Sequence, residues 1–207
     1  MMWLVFWMEM RFHTDFASYG IQPRTWNGFL GIFLSPFIHG GFSHLWSNTL
    51  PMLLLGTSLF YFYRSIGLRV FLLGLVGSGV ITWLIARDSY HIGASGVIYM
   101  LASFLFFKGI ITRYYRLIAL SLIIVFLYGS LIWYLFPIDP TISWEGHLGG
   151  ALTGLILSLT MKVKIQKEQT FAWQSPDYDE EEDVFMQQFD EDGNFAPIAP
   201  IASEEEE

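Results

Sequence analysis

Along the chain, apolar runs alternate with short polar islands. Met1 to Met8 is apolar, but a spanning helix needs about 20 residues. That run therefore reads as the last turns of a helix that starts further upstream, or as a short interfacial anchor. Phe16 to Asn27 carries Gly20, Pro23, Arg24 and Asn27, which punctuate loops. Phe29 to Ile38 is apolar but is broken by Gly31 and Pro36. His44 to Tyr63, Leu68 to Ala86 and Leu117 to Phe136 are each long enough to cross a bilayer. Ala94 to Phe107 is shorter and meets Lys108; Gly146 to Met161 is the last apolar helix and closes at Lys162. The pattern predicts an all-α membrane protein.

Composition sharpens this. Of 207 residues 53% are hydrophobic and only 14% charged, where a soluble domain carries about a quarter charged. The net charge of −8 hides two regions. Residues 1–167 hold eleven basic and five acidic side chains, whereas 168–207 hold fourteen acidic and no basic ones. The first region is expected to be a transmembrane domain and the second a disordered acidic tail. Phe171, Trp173, Phe185, Phe189 and Phe195 give that tail a means of docking on a partner. Nothing in this balance points to nucleic acid, and without cysteine there are no disulfides.

Arg64, Arg69, Lys108, Arg113, Arg116, Lys162, Lys164 and Lys167 fall in loops of one set, and only Arg11, Arg24 and Arg87 in the other. The positive-inside rule makes the first set cytoplasmic. A multi-pass membrane protein with its C-terminus in the cytoplasm follows, and a bacterial inner membrane is its expected location. Three polar islands then face the outer side: His39 to Asn48, Tyr90 to Tyr99, and Glu145 to Gly150. Taking Lys108, Lys162 and Arg64 as boundary anchors puts Ser95, His147 and Asn48 at roughly 20, 22 and 24 Å, at 1.5 Å per helical residue. Three helices thus bring a serine, a histidine and an asparagine to one level, where polar groups must face a bundle interior or a wet cavity.

A serine hydroxyl needs a base to become a nucleophile, and His147 is the candidate base for Ser95. Gly146, Gly150 and Gly154 form a small-residue stripe that admits a close neighbour. Gly93 and Gly96 flank Ser95 and offer the matching surface. His44 and Asn48, four apart on one helix face, could stabilise an oxyanion together with the Ser95 amide. Tyr99, one turn below Ser95, is placed to stack under His147. Glu145 lies two residues from His147, on roughly the opposite side of the helix, so a dyad is expected rather than a triad. His39 reads as structural and His91 as a solvated loop residue. The His-Glu-x-x-His spacing of zinc peptidases is absent, so no metal site is expected, and no cofactor is implied.

The ordered set His39-x4-His44-x3-Asn48, Gly93-x-Ser95-Gly96-x2-Tyr99 and His147-x2-Gly150-x3-Gly154 resembles the rhomboid family of intramembrane serine proteases. The resemblance runs over residues 16 to 162. It implies a six-helix transmembrane bundle, of whose first helix this chain carries only Met1 to Met8. It also implies a Ser95–His147 dyad, an oxyanion site from His44, Asn48 and the Ser95 amide, and cleavage of transmembrane protein substrates. Phe16 to Ile38 would be the family's half-sunken first loop, and Pro137 to Gly146 the loop capping the site. The alternative is a rhomboid-like membrane chaperone or adaptor without activity. Such proteins typically lose the serine or the histidine, and both stand here.

Overall fold

The computed structural model describes residues 1–127, 132–163 and 171–196. Among these there are seven α-helices and no β-strand: α1 (Met2–Phe12), α2 (Trp26–Leu34), α3 (Phe42–Phe62), α4 (Gly67–Ile85), α5 (Ser95–Thr112), α6 (Tyr115–Leu127) and α7 (Trp144–Thr160). The chain divides into two units, Met1–Ile165 and Gln166–Glu207. All seven helices lie in the first. In the second, the described residues form 3₁₀ turns at Ala172–Gln174 and Met186–Gln188, and an isolated bridge joins Phe189 to Phe195.

Helix α5 is the centre of the first unit. Its buried residues run through Val97, Met100, Leu101, Phe104 and Leu105, on more than one side of the helix. An α-helix that is apolar all round belongs inside a structure. Helices α3, α4, α6 and α7 surround it. The contact with α7 is made by missing side chains. A Cβ on Gly150 would overlap the Gly96 carbonyl oxygen, and one on Gly154 would overlap the Met100 carbonyl. Helix α4 approaches α7 in the same way, since a Cβ on Gly77 would lie 2.7 Å from Thr153 Cγ2.

Helix ends are set by specific side chains. Thr25 caps α2 by accepting from the Gly28 amide at 3.0 Å, and Ser143 caps α7 by accepting from the Gly146 amide at 3.3 Å. Such caps satisfy amides that the helix leaves without partners. Arg24 donates from Nη1 to the carbonyls of Leu84 (3.2 Å) and Ala86 (2.8 Å), at the C-terminus of α4.

Two expectations from the sequence are corrected here. The helix carrying Ser95 does not end before Lys108 but continues to Thr112. Lys108 is buried, and its ammonium donates to the carbonyls of Ser158 (2.9 Å) and Met161 at the end of α7. It is a capping cation inside the protein and not a boundary anchor. The run Leu117 to Phe136 is not one uninterrupted helix either: Trp133–Leu135 is a 3₁₀ turn, and residues 128–131 of that run lie outside the described residues. Helices α4 and α5 are long and apolar enough to cross a membrane, and α6 is shorter but apolar.

Substituting leucine for Gly154 is expected to destabilise the protein by about 1–3 kcal/mol, the usual cost of overpacking, or to prevent folding. Gly56, where a Cβ would meet nothing, is the control: Gly56→Ala should be neutral or stabilising by up to about 1 kcal/mol. Thermal unfolding in detergent compares the two.

Candidate active site

Ser95 is the first residue of α5, and the turn before it decides where its hydroxyl points. Gly93 sits at φ +103°, in a region L-residues rarely adopt. A Cβ there would also lie 2.6 Å from His44 Nε2. The Gly93 amide donates to the Ser35 carbonyl at 2.9 Å, tying the turn to the segment before α3.

From that position Ser95 Oγ meets His147 Nε2 at 3.0 Å. The other ring nitrogen, Nδ1, lies 2.9 Å from the carbonyl oxygen of Tyr134. A carbonyl only accepts, so Nδ1 carries the proton and Nε2 presents its lone pair to the serine. Ser95 therefore donates to His147, which is the arrangement a general base requires. Tyr99 stacks on the imidazole with ring centroids 4.2 Å apart and planes within 10°. The neutral ring is thus held on a face and at both nitrogens.

A cavity of about 540 Å³ opens beside this pair, and Ser95, His147, Tyr99, His44, Asn48 and Tyr134 are among its lining residues. Asn48 donates from Nδ2 to the His44 carbonyl at 2.8 Å. The amide has a second hydrogen, so that bond does not exhaust it. Its Oδ1 is buried without a hydrogen-bond partner. Gly96 and Gly150 line the α5–α7 contact just below. His39 is not in the cavity wall. It is buried, its ring lies 5.0 Å from that of His44, and Nδ1 donates to the Phe37 carbonyl at 3.4 Å. Burial, and then the neighbouring His44, push the His39 imidazole down to about 4.

Glu145 is 2% exposed. Its Oε1 accepts from the Arg87 amide at 3.2 Å and lies 3.8 Å from Arg87 Nε. Arg87 Nη2 also donates to the Ile142 carbonyl at 2.6 Å. The carboxylate is thus engaged by Arg87 rather than by His147. His91 requires a correction: it is not solvated but 5% exposed, and it bonds to Ser143 Oγ at 2.6 Å and to the Arg87 carbonyl at 3.0 Å.

Three participants were missed in the sequence. Ser143 had a signal, a serine just before an apolar helix with an acid in its first turn, the mark of an N-cap. His91, four residues before Ser95, had only its spacing. The Tyr134 carbonyl had none, because every residue type offers one.

The Rhomboid domain model matches residues 26–164, and the chain belongs to the rhomboid family, whose members are embedded in membranes. Among curated relatives, an uncharacterised protein of Mycobacterium tuberculosis is 31% identical over 162 residues, covering 72% of this chain and 65% of that protein. An uncharacterised protein of Mycobacterium bovis matches to the same extent. One of Mycobacterium leprae is 30% identical over 146 residues, covering 66% of this chain and 58% of its own length. The chain thus spans about 65% of the length of the first of these relatives. No solved structure matches it significantly.

Two predictions concern the surroundings of the pair. Arg87→Ala leaves the Glu145 carboxylate buried without its cation, and should destabilise by about 1–3 kcal/mol once the partial exposure of Arg87 is allowed for. Adding Glu145→Gln should restore part of that loss, as a double-mutant cycle in thermal unfolding would read. His39 takes up its proton near pH 6.5 when unfolded but only at about 4 when folded. Between those values the unfolded chain holds more protons, so this contribution to stability declines as pH falls through that window. Unfolding of His39→Gln against pH should show a shallower decline there.

Proposed function

We propose that this chain is an intramembrane serine endopeptidase that cleaves transmembrane segments with a Ser95–His147 dyad. The observation that carries this reading is the 3.0 Å contact from Ser95 Oγ to His147 Nε2, with Nδ1 committed to the Tyr134 carbonyl. The pair shares its cavity with His44 and Asn48, the candidate oxyanion donors, which supports an enzyme over an inactive adaptor.

In this reading the helices form the six-span rhomboid bundle in a bacterial inner membrane. The many exposed apolar side chains, among them Leu53, Leu72 and Phe126, then face lipid. The cavity opens toward the outer side, and residues 168–207 form a separate cytoplasmic tail available to a partner.

The chemistry follows from the geometry. A locally unwound substrate places its scissile carbonyl beside Ser95. His147 Nε2 takes the hydroxyl proton as Oγ bonds to the carbonyl carbon. The negative oxygen is received by the Ser95 amide, the free Asn48 amide hydrogen and the His44 ring. His147 then gives its proton to the leaving amine as the C–N bond breaks. A water, deprotonated by the same nitrogen, releases the acyl group and restores the serine.

The test is cleavage of a tagged single-span substrate in proteoliposomes. Ser95→Ala and His147→Ala should abolish cleavage without loss of fold. Asn48→Ala should slow it by no more than the roughly 10²–10³-fold typical of an oxyanion donor, because two donors remain. Cleavage that persists in Ser95→Ala would overturn the proposal.

A further inference from the structure

A second Ser–His pair stands directly behind the first. His91 lies four residues before Ser95, and Ser143 four before His147, so both pairs span 52 positions with the residue types exchanged. Hydrogen-bond logic fixes the inner pair. His91 Nε2 faces the Arg87 carbonyl at 3.0 Å and must carry the proton, because a carbonyl only accepts. Its Nδ1 is therefore an acceptor, and the Ser143 hydroxyl donates to it at 2.6 Å. The same Ser143 oxygen accepts from the Gly146 amide at 3.3 Å as the N-cap of α7.

His91 is itself pinned. Its amide donates to the Ile21 carbonyl and its carbonyl accepts from the Ile21 amide, each at 2.9 Å. The first turn of α7 hangs from Ser143, since the His147 amide donates to the Ser143 carbonyl at 3.2 Å. An anchored imidazole thus grips the cap of the helix that carries His147, from the turn that carries Ser95. Arg87, bonded to Glu145 and to the Ile142 carbonyl, braces the same two segments alongside.

We infer that His91 is a positioning residue: through Ser143 it sets the distance and angle between Ser95 and His147. The inference rests on the protease reading. It predicts damage to the chemical step rather than to substrate binding. Without His91, the Ser143 hydroxyl and the Arg87 carbonyl lose buried partners, and the first turn of α7 is free to shift. A displacement of about 1 Å at a reacting pair can cost on the order of a hundredfold in rate.

The experiment uses the full chain in detergent micelles. A fluorophosphonate probe, which needs no knowledge of the substrate, counts reactive Ser95 and gives a labelling rate. Cleavage of the model substrate is then expressed per labelled site. His91→Leu should lower labelling rate and kcat per site by about ten- to a hundredfold, with KM little changed. His91→Asn, which keeps an acceptor near the Nδ1 position, should recover most of the loss. His91→Gln, which keeps only the donor toward Arg87, should not, and it serves as the second variant if His91→Leu fails to fold. Ser143→Ala should resemble His91→Leu, and combining the two should add no further loss. Normal rates per site in both His91→Leu and His91→Gln, or losses that multiply in the double variant, would overturn the inference while leaving the protease reading intact. A wild-type chain that neither labels at Ser95 nor cleaves would instead remove the protease reading, and this inference with it.

Discussion

The approach of the α5 and α7 backbones is the constraint on which the site depends. A serine side chain is short, and the imidazole of His147 must reach it from the neighbouring helix. A hydrogen bond of 3.0 Å between them is helped by a close approach of the two backbones. They come close because Gly150 has no Cβ to strike the Gly96 carbonyl and Gly154 none to strike that of Met100. Once the backbones are this close, the side chains at the top of both helices have little freedom left. The stacking of Tyr99 on His147 is a product of the same spacing, since Tyr99 Cβ is itself a near neighbour of Gly150. Placing polar groups on two locked helices holds them more tightly than a loop would.

A second theme is where the charges go. Lys108 caps the C-terminus of α7, Arg24 caps that of α4, and Glu145 lies in the first turn of α7. Each has the sign that complements the helix end it meets. Buried charges are costly unless paired or hydrogen-bonded: Lys108 is bonded to carbonyls at the end of α7 and Glu145 to Arg87, while Arg24 is exposed. The Ser95–His147 pair also sits at helix starts, with Ser95 the first residue of α5 and His147 in the first turn of α7.

Much of this was legible in the sequence, and the failures have physical causes. Helices α3, α4 and α7 were read within a few residues, because long apolar runs bounded by charge and glycine are unambiguous. The Ser95, His147, His44 and Asn48 spacing was enough to bring these residues to one cavity on paper. Lys108 misled because a lysine in an apolar run usually marks a boundary; its ammonium instead reached carbonyls of a distant helix, which no local pattern reveals. His91 misled for the same reason, its partners Ser143 and Ile21 being far away in sequence. Trp133 to Leu135 reads as apolar helix, but hydrophobicity cannot tell an α-helix from a 3₁₀ turn.

The oxygen that fixes the tautomer of His147 belongs to the backbone. In proteases with an aspartate in that position, a single substitution can delete the third partner. Here no change of side chain at position 134 removes the acceptor, since every amino acid brings the same carbonyl. An alanine scan would pass over it, and drift at that position would leave it in place. The orientation of the imidazole is in this sense insured against point mutation, and only a change in the path of the chain can withdraw it.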